Sequence, residues 1–87
     1  MFSVRMAIVD VAARLSLEST LLASAVYFAE SAVLELEFRD GARYRFYGVP
    51  AADFQQLLAS DSKGGYFNRS IRNRFPYQRV FVPDHQN

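Results

Sequence analysis

Two short segments with alternating side chains lie on either side of Asp40-Gly41. Leu34 to Phe38 alternates apolar and acidic residues, and Arg43 to Phe46 alternates arginine with aromatic residues. Alternation with a period of two is typical of strands with one buried face. An Asp-Gly pair between two such strands predicts an antiparallel hairpin. This hairpin restricts the possible folds more than any other feature of the chain.

The register of the hairpin follows because residues directly opposite each other share a face of the sheet. A two-residue loop would place Phe38 opposite Arg43 and mix apolar with charged side chains. A three-residue loop, Arg39-Asp40-Gly41 with Gly41 at positive φ, separates the two faces. The predicted pairs are Leu34 with Phe46, Leu36 with Tyr44, Glu35 with Arg45 and Glu37 with Arg43.

The segments around the hairpin predict an α+β fold. Residues 22–28 are rich in β-forming side chains at their end and predict a first strand, which makes a three-stranded antiparallel β-meander. Pro50 suits the first turn of a helix with a buried stripe of Phe54, Leu57 and Leu58. A second helix places Phe67, Ile71 and Phe75 on one side and ends before Pro76. We expect both helices to pack on the apolar sheet face, and residues 80–82 to form a short last strand.

The length of 87 residues allows one small domain, and 51% hydrophobic residues supply its core. We assign that domain to residues 17–82. Residues 1–16 form an N-terminal extension, in which the apolar spacing fits a helix and a strand equally well. Residues 83–87 are a polar tail.

Several function classes are excluded by composition. The chain has no cysteine, and its one histidine is His85 in the tail, so thiolate metal sites and cysteine nucleophiles are absent. No side chains form a recognisable catalytic group, and we expect a non-enzymatic protein that needs no cofactor or metal. No apolar run is long enough for a secretory signal or a membrane span, which predicts a cytoplasmic protein without a membrane partner.

Charge is distributed unevenly along the chain. Residues 1–61 carry five arginines against eight acids, whereas residues 62–87 carry five cations against Asp84 alone. The last third of the chain is therefore a basic module on a mildly acidic body, although an ordinary solvated helix face would have the same charges.

Short motifs occur in order along most of the chain: Tyr44-x-Phe46, Gly48-Val49-Pro50, Ser62-Lys63-Gly64, Tyr66-Phe67-Asn68 and Ile71-Arg72. With the preceding Leu36-x-Phe38-x-x-Gly41, they resemble the KTSC domain, a module named after the C-terminus of certain lysyl-tRNA synthetases. The resemblance covers roughly residues 17–80, with Phe46 in place of the second tyrosine of the central Tyr-x-Tyr. It implies one compact domain that also occurs free-standing in bacteria. RNA binding is proposed for the family from the synthetase association.

Ser62-Lys63-Gly64-Gly65 precedes the second helix and has two interpretations. Free backbone N–H groups, the helix dipole and Lys63 would suit a phosphate, and Gly64 and Gly65 would let an oxyanion approach closely. Alternatively, Ser62 caps the helix and the glycines serve the turn. The structural interpretation is the more frequent one for such a loop.

The second helix predicts a cationic face with one aromatic residue and one amide. Tyr66, Arg69 and Asn73 fall on the side away from Phe67 and Ile71, with Arg72 at its edge. Tyr47, on the charged sheet face, is a further candidate for stacking on a base, whereas Tyr44 and Phe46 are expected in the core. We therefore expect RNA or phosphate binding through Lys63, Gly64, Gly65, Tyr66, Arg69, Arg72 and Tyr47. The alternative is a surface for another protein or a second copy of this chain.

Overall fold

The computed structural model describes residues 13–81, which form an antiparallel sheet of five strands and two helices. The strands pair in chain order. They are β1 (Leu15–Ser16), β2 (Leu22–Phe28), β3 (Val33–Phe38), β4 (Arg43–Tyr47) and β5 (Tyr77–Arg79). The predicted meander corresponds to β2, β3 and β4. The prediction of three strands is wrong, because β1 and β5 extend the sheet at its two edges.

The added strands lie on either side of the predicted meander. β1 lies within residues 1–16, for which the apolar spacing fits a helix and a strand equally well, and Leu15 pairs with Ala25. The last strand is Tyr77–Arg79 rather than residues 80–82, and it pairs with β4. Predictions for residues 1–12 and 82–87, including the polar tail, fall outside the described residues.

The predicted hairpin register is confirmed. Leu34 pairs with Phe46, Leu36 with Tyr44, Glu35 with Arg45 and Glu37 with Arg43. The loop has three residues, because the Phe38 N–H donates to the Ala42 carbonyl at 2.8 Å and the Gly41 N–H donates back to the Phe38 carbonyl at 2.9 Å. Gly41 has a φ of +95°, as this loop requires.

Helix α1 (Ala51–Ala59) begins one residue after Pro50, which occupies the N-cap position. The Tyr27 ring stacks on Phe54 at 5.0 Å between centroids, and the Tyr27 hydroxyl donates to the Val49 carbonyl at 2.6 Å. These contacts hold the start of α1 against β2.

Helix α2 (Lys63–Tyr66) continues without a break into a π-helical turn (Phe67–Ile71). The Arg72 N–H donates to the Phe67 carbonyl at 2.9 Å, which is the five-residue hydrogen bond of a π-helix. The helix therefore ends earlier than Pro76, and its second half is wider than the α-helix that the apolar spacing predicts.

Both helices cover one face of the sheet, as expected. Leu34 and Leu36 on β3 are fully buried against Leu57 of α1 and Ile71 of the π-helical turn. Burying each of these side chains stabilises the fold by about 1.5–3 kcal/mol.

The opposite sheet face is charged and centres on Glu35, whose side chain is only 5% exposed. Its carboxylate accepts hydrogen bonds from Arg14 Nη2 at 2.8 Å and from Arg45 Nε at 2.9 Å. Burial acts to raise the pKa of Glu35, but the hydrogen bonds and charges of Arg14 and Arg45 outweigh it. The pKa lies below that of an ordinary glutamate.

Candidate functional site

An open groove of about 520 Å³ lies on the helix-covered side of the sheet, between β4, β5 and the π-helical turn. We call it the aromatic groove. Its rings come from Phe38, Tyr44, Phe46, Phe67 and Tyr77, and its polar side chains come from Asn68, Arg72 and Asn73. The groove therefore combines flat apolar surfaces with groups that donate hydrogen bonds.

Strand pairing positions the rings of the groove. Phe46 lies opposite Tyr77 and Tyr44 lies opposite Arg79, so these four side chains project to the same face. The Tyr77 ring lies 5.6 Å from the Phe46 ring and 5.7 Å from the Tyr44 ring, between centroids. Phe46 is 3% exposed and forms the floor, whereas Tyr77 is 59% exposed and forms an outer wall.

The π-helical turn positions the polar side chains. Residues five apart lie on nearly the same side of a π-helix, whereas an α-helix turns them well away from each other. Asn68 and Asn73 are five apart, and so are Phe67 and Arg72. All four line the aromatic groove because the turn is wide.

Positive charge borders the aromatic groove. The Arg79 guanidinium lies 5.8 Å from the centre of the Tyr44 ring, and Arg72 lines the groove itself. No acidic residue is present among the described side chains that line it. This combination favours an anionic ligand with planar groups.

Three of the predicted site residues line a second cleft of about 450 Å³, which adjoins the aromatic groove at Leu21 and Asn68. Lys63, Gly64 and Gly65 line this glycine cleft together with Glu18 and Asp61. The Lys63 ammonium donates to the Ser60 carbonyl at 3.1 Å. The glycine cleft thus contains two carboxylates and one lysine, whose ammonium is already hydrogen-bonded. This is an unfavourable environment for a phosphate.

Packing accounts for the two glycines of this cleft. A methyl group at Gly64 would lie 3.2 Å from Leu21 Cβ, and one at Gly65 would lie 2.9 Å from Ser62 Oγ. The Ser62 hydroxyl accepts a hydrogen bond from the Gly65 N–H at 3.1 Å and caps α2. These contacts favour the structural interpretation of the loop.

The sequence predicts Tyr66 on the exposed side of its helix, and this prediction is wrong. In the structure Tyr66 is buried and only 8% exposed. Its hydroxyl hydrogen-bonds Asp53 Oδ1 at 2.8 Å, which links α2 to α1. Burial and the Asp53 carboxylate raise the pKa of Tyr66. The wide turn explains the error, because it brings Tyr66 to the same side as Ile71, five residues later. The ring is unavailable for stacking.

The remaining predicted residues do not converge on one surface. Arg72 lines the aromatic groove. Arg69 is exposed beside Gly65, outside the groove lining. Tyr47 is half-buried on the charged sheet face, where its hydroxyl hydrogen-bonds Gln78 at 3.1 Å.

Sequence reasoning placed Asn73 on the same face as Arg72 but missed Asn68, Tyr77 and Arg79. The alternation in Tyr77-Gln78-Arg79 is the signal that could have placed Tyr77 and Arg79 together. Nothing in the sequence marks the π-helical turn that brings Asn68 and Asn73 to the same side. Within residues 13–81, no cluster of carboxylates could hold a metal ion, and no helix is long and apolar enough to cross a membrane.

Comparison with known proteins identifies the fold. The sequence model of the KTSC domain family matches residues 18–75 of this chain. A KTSC domain protein from Yersinia pestis has a crystal structure that aligns with a TM-score of 0.78 at 27% sequence identity, covering 82% of this chain and 100% of that one. An uncharacterized protein of Stutzerimonas stutzeri (strain A1501) is 40% identical over 68 residues, which is 77% of this chain and 96% of the relative.

A longer relative contains a similar segment. The lysine–tRNA ligase of Trichormus variabilis is 32% identical over 54 residues, which is 62% of this chain but only 10% of the ligase. The resemblance inferred from the motifs is confirmed. The chain belongs to the KTSC domain family.

Proposed function

We propose that this protein is a small RNA-binding domain that holds a single-stranded segment in its aromatic groove, without catalysing a reaction. The observation that carries the proposal is the combination of the exposed Tyr77 ring with Arg72 and Arg79, with no carboxylate among the described lining residues. Single-stranded nucleic acids bind to proteins through just these two features, stacking platforms and positive charge.

The two features have separate roles. A base stacks on the open side of the Tyr77 ring, which contributes about 1–3 kcal/mol of binding free energy. Arg79, beside the Tyr44 ring, attracts a neighbouring phosphate. Of the residues predicted from the sequence, Arg72 belongs to this surface. Lys63 and Arg69 add positive charge to the same third of the chain but lie outside the groove lining.

The related proteins also support the proposal of RNA binding. A segment similar to this chain occurs in proteins named lysine–tRNA ligase, and that name includes an RNA. The support is indirect, because the segment is only 10% of the ligase.

The test is a fluorescence anisotropy titration of a labelled single-stranded RNA octamer and of an RNA duplex, at about 50 mM and about 200 mM salt. We expect weak, salt-sensitive binding of the single strand, with a Kd of order 10⁻⁴–10⁻⁶ M at physiological salt. Tyr77→Ala should weaken binding about 5- to 150-fold. Arg79→Ala should reduce the slope of log K against log salt by about 0.7.

Arg69→Ala is the matched control, because it removes the same charge from an exposed position beside Gly65, whereas Arg79 lies over the Tyr44 ring of the groove. We expect it to weaken binding less than Arg79→Ala. If Arg69→Ala has the larger effect and Tyr77→Ala has none, the basic helix face is the binding surface and the groove is not. If the wild-type protein shows no salt-sensitive binding, RNA is not the ligand.

A further inference from the structure

We infer that the aromatic groove prefers guanine, read through the O6 and N7 acceptors on one edge of the base. This inference rests on the proposed RNA binding and names the base that the same groove takes. The groups that carry it are Arg72 and Asn68, which lie next to each other in the lining.

The contact between these two side chains fixes which atoms face the ligand. Arg72 Nη1 donates to Asn68 Oδ1 at 3.4 Å. A guanidinium has no acceptor, so the amide oxygen must be the atom that faces Arg72. The Asn68 amide nitrogen and the other Arg72 nitrogens then remain as donors for a ligand.

A pair of donors selects bases by their edges. Guanine presents two adjacent acceptors, O6 and N7, which match the parallel N–H groups of an arginine. Adenine presents only one acceptor, N7, beside its amino group, so the second of two parallel arginine donors would face a donor. The amide oxygen of Asn73 in the lining could accept from this amino group, which makes adenine the main competitor of guanine. Uracil has no neighbouring pair of acceptors on one edge.

The rings favour the same base. A purine has a larger flat surface than a pyrimidine, and the groove offers Tyr77 on its outer side and Phe67 next to the polar edge. A guanine stacked on Tyr77 can thus direct its O6 and N7 edge towards Arg72.

The experiment uses uridine octamers with one variable position, occupied by guanine, inosine, 7-deazaguanine, adenine or uracil. Inosine keeps O6 and N7, whereas 7-deazaguanine loses the N7 acceptor. We expect guanine and inosine to bind alike, and about 5- to 150-fold more tightly than adenine or uracil. The 7-deazaguanine octamer should bind more weakly than the guanine octamer.

Arg72→Lys is the matched variant, because it keeps the charge but loses the parallel donors. We expect it to keep the salt dependence of wild-type binding and to lose the preference for guanine. If all octamers bind wild-type protein equally while Tyr77→Ala still weakens binding, the guanine inference is wrong and the RNA-binding proposal stands. If no octamer shows salt-sensitive binding, the RNA-binding proposal is wrong and the inference falls with it.

Discussion

Three loop residues have positive φ angles, the alanine Ala32 and the glycines Gly41 and Gly48. Gly41 has a φ of +95° and Ala32 has a φ of +57°. A side chain at Gly41 would meet no atom within 4 Å. Gly41 therefore allows the cost of backbone conformation to be measured without a change in packing.

We predict that Gly41→Val destabilises the protein by about 1–2 kcal/mol, because a β-branched residue is strained at positive φ. For a chain of this size, each kcal/mol lowers the Tm by about 4–8 °C. Thermal unfolding followed by circular dichroism measures the change. Gly41→Asn is the control and should cost less, since Asn tolerates positive φ better than Val. A Val variant as stable as the wild type would contradict the assigned loop.

The opposite change is expected at Ala32. Replacing it with glycine removes the strain on Cβ but increases the entropy of the unfolded chain. We predict that Ala32→Gly stabilises the protein by about 0.5–1 kcal/mol in urea unfolding experiments. A destabilised variant would mean that the added entropy of the unfolded chain outweighs the relief of backbone strain, and the prediction would be wrong.

At the scale of elements, the π-helical turn is the feature that the sequence does not reveal. Phe67, Ile71 and Phe75 are spaced for an α-helix, and this spacing predicts Tyr66 at the surface. The wide turn brings residues five apart to nearly the same side. Tyr66 therefore shares the buried side of Ile71, and Asn68 and Asn73 are brought together in the aromatic groove.

The start of α2, by contrast, could be predicted, because Ser62 is a preferred N-cap residue and caps the helix. We predict that Ser62→Ala destabilises the protein by about 1 kcal/mol and leaves RNA affinity unchanged. Urea unfolding and the anisotropy titration measure the two effects. Ser62→Asp should restore stability, since Asp also caps helices. Loss of RNA affinity in Ser62→Ala without loss of stability would favour a phosphate site in the glycine cleft.

At the scale of the whole molecule, the central sheet could be predicted and its edges could not. The alternation in β3 and β4 has one register that separates apolar from charged residues, and the protein adopts it. β1 has two residues and β5 has three, which is too short for alternation to be distinguished from chance. Because the outer wall of the groove belongs to β5, the candidate site was predicted less completely than the fold.

The charged sheet face makes the stability of the molecule depend on pH. The pKa of Glu35 is lower in the folded protein than in the unfolded chain, so its ionised form stabilises the fold above the unfolded pKa. This stabilisation is lost as the pH falls through the folded pKa. The dependence is therefore confined to acid conditions, below about pH 4.3.

We predict that Glu35→Gln destabilises the protein by about 1–3 kcal/mol at about pH 7, because Arg14 and Arg45 lose a charged acceptor. The difference from the wild type should be smaller at about pH 3, because the stabilisation that comes from the lowered pKa of Glu35 diminishes as the pH falls below the pKa of the unfolded chain. Urea unfolding at both pH values measures this. Glu30→Gln, in an exposed turn, is the control and should change stability little at either pH. An equal difference at both pH values would show that shape, rather than charge, is the cause.

The position of β5 bears on what the family assignment describes. The family model matches residues 18–75, yet Tyr77 in β5 follows that segment and forms the outer wall of the aromatic groove, with Arg79 over the neighbouring Tyr44 ring. Asn68 and Arg72, on the polar side of the groove, lie inside the matched segment. Membership of the family therefore covers one side of the groove and leaves its outer aromatic wall outside.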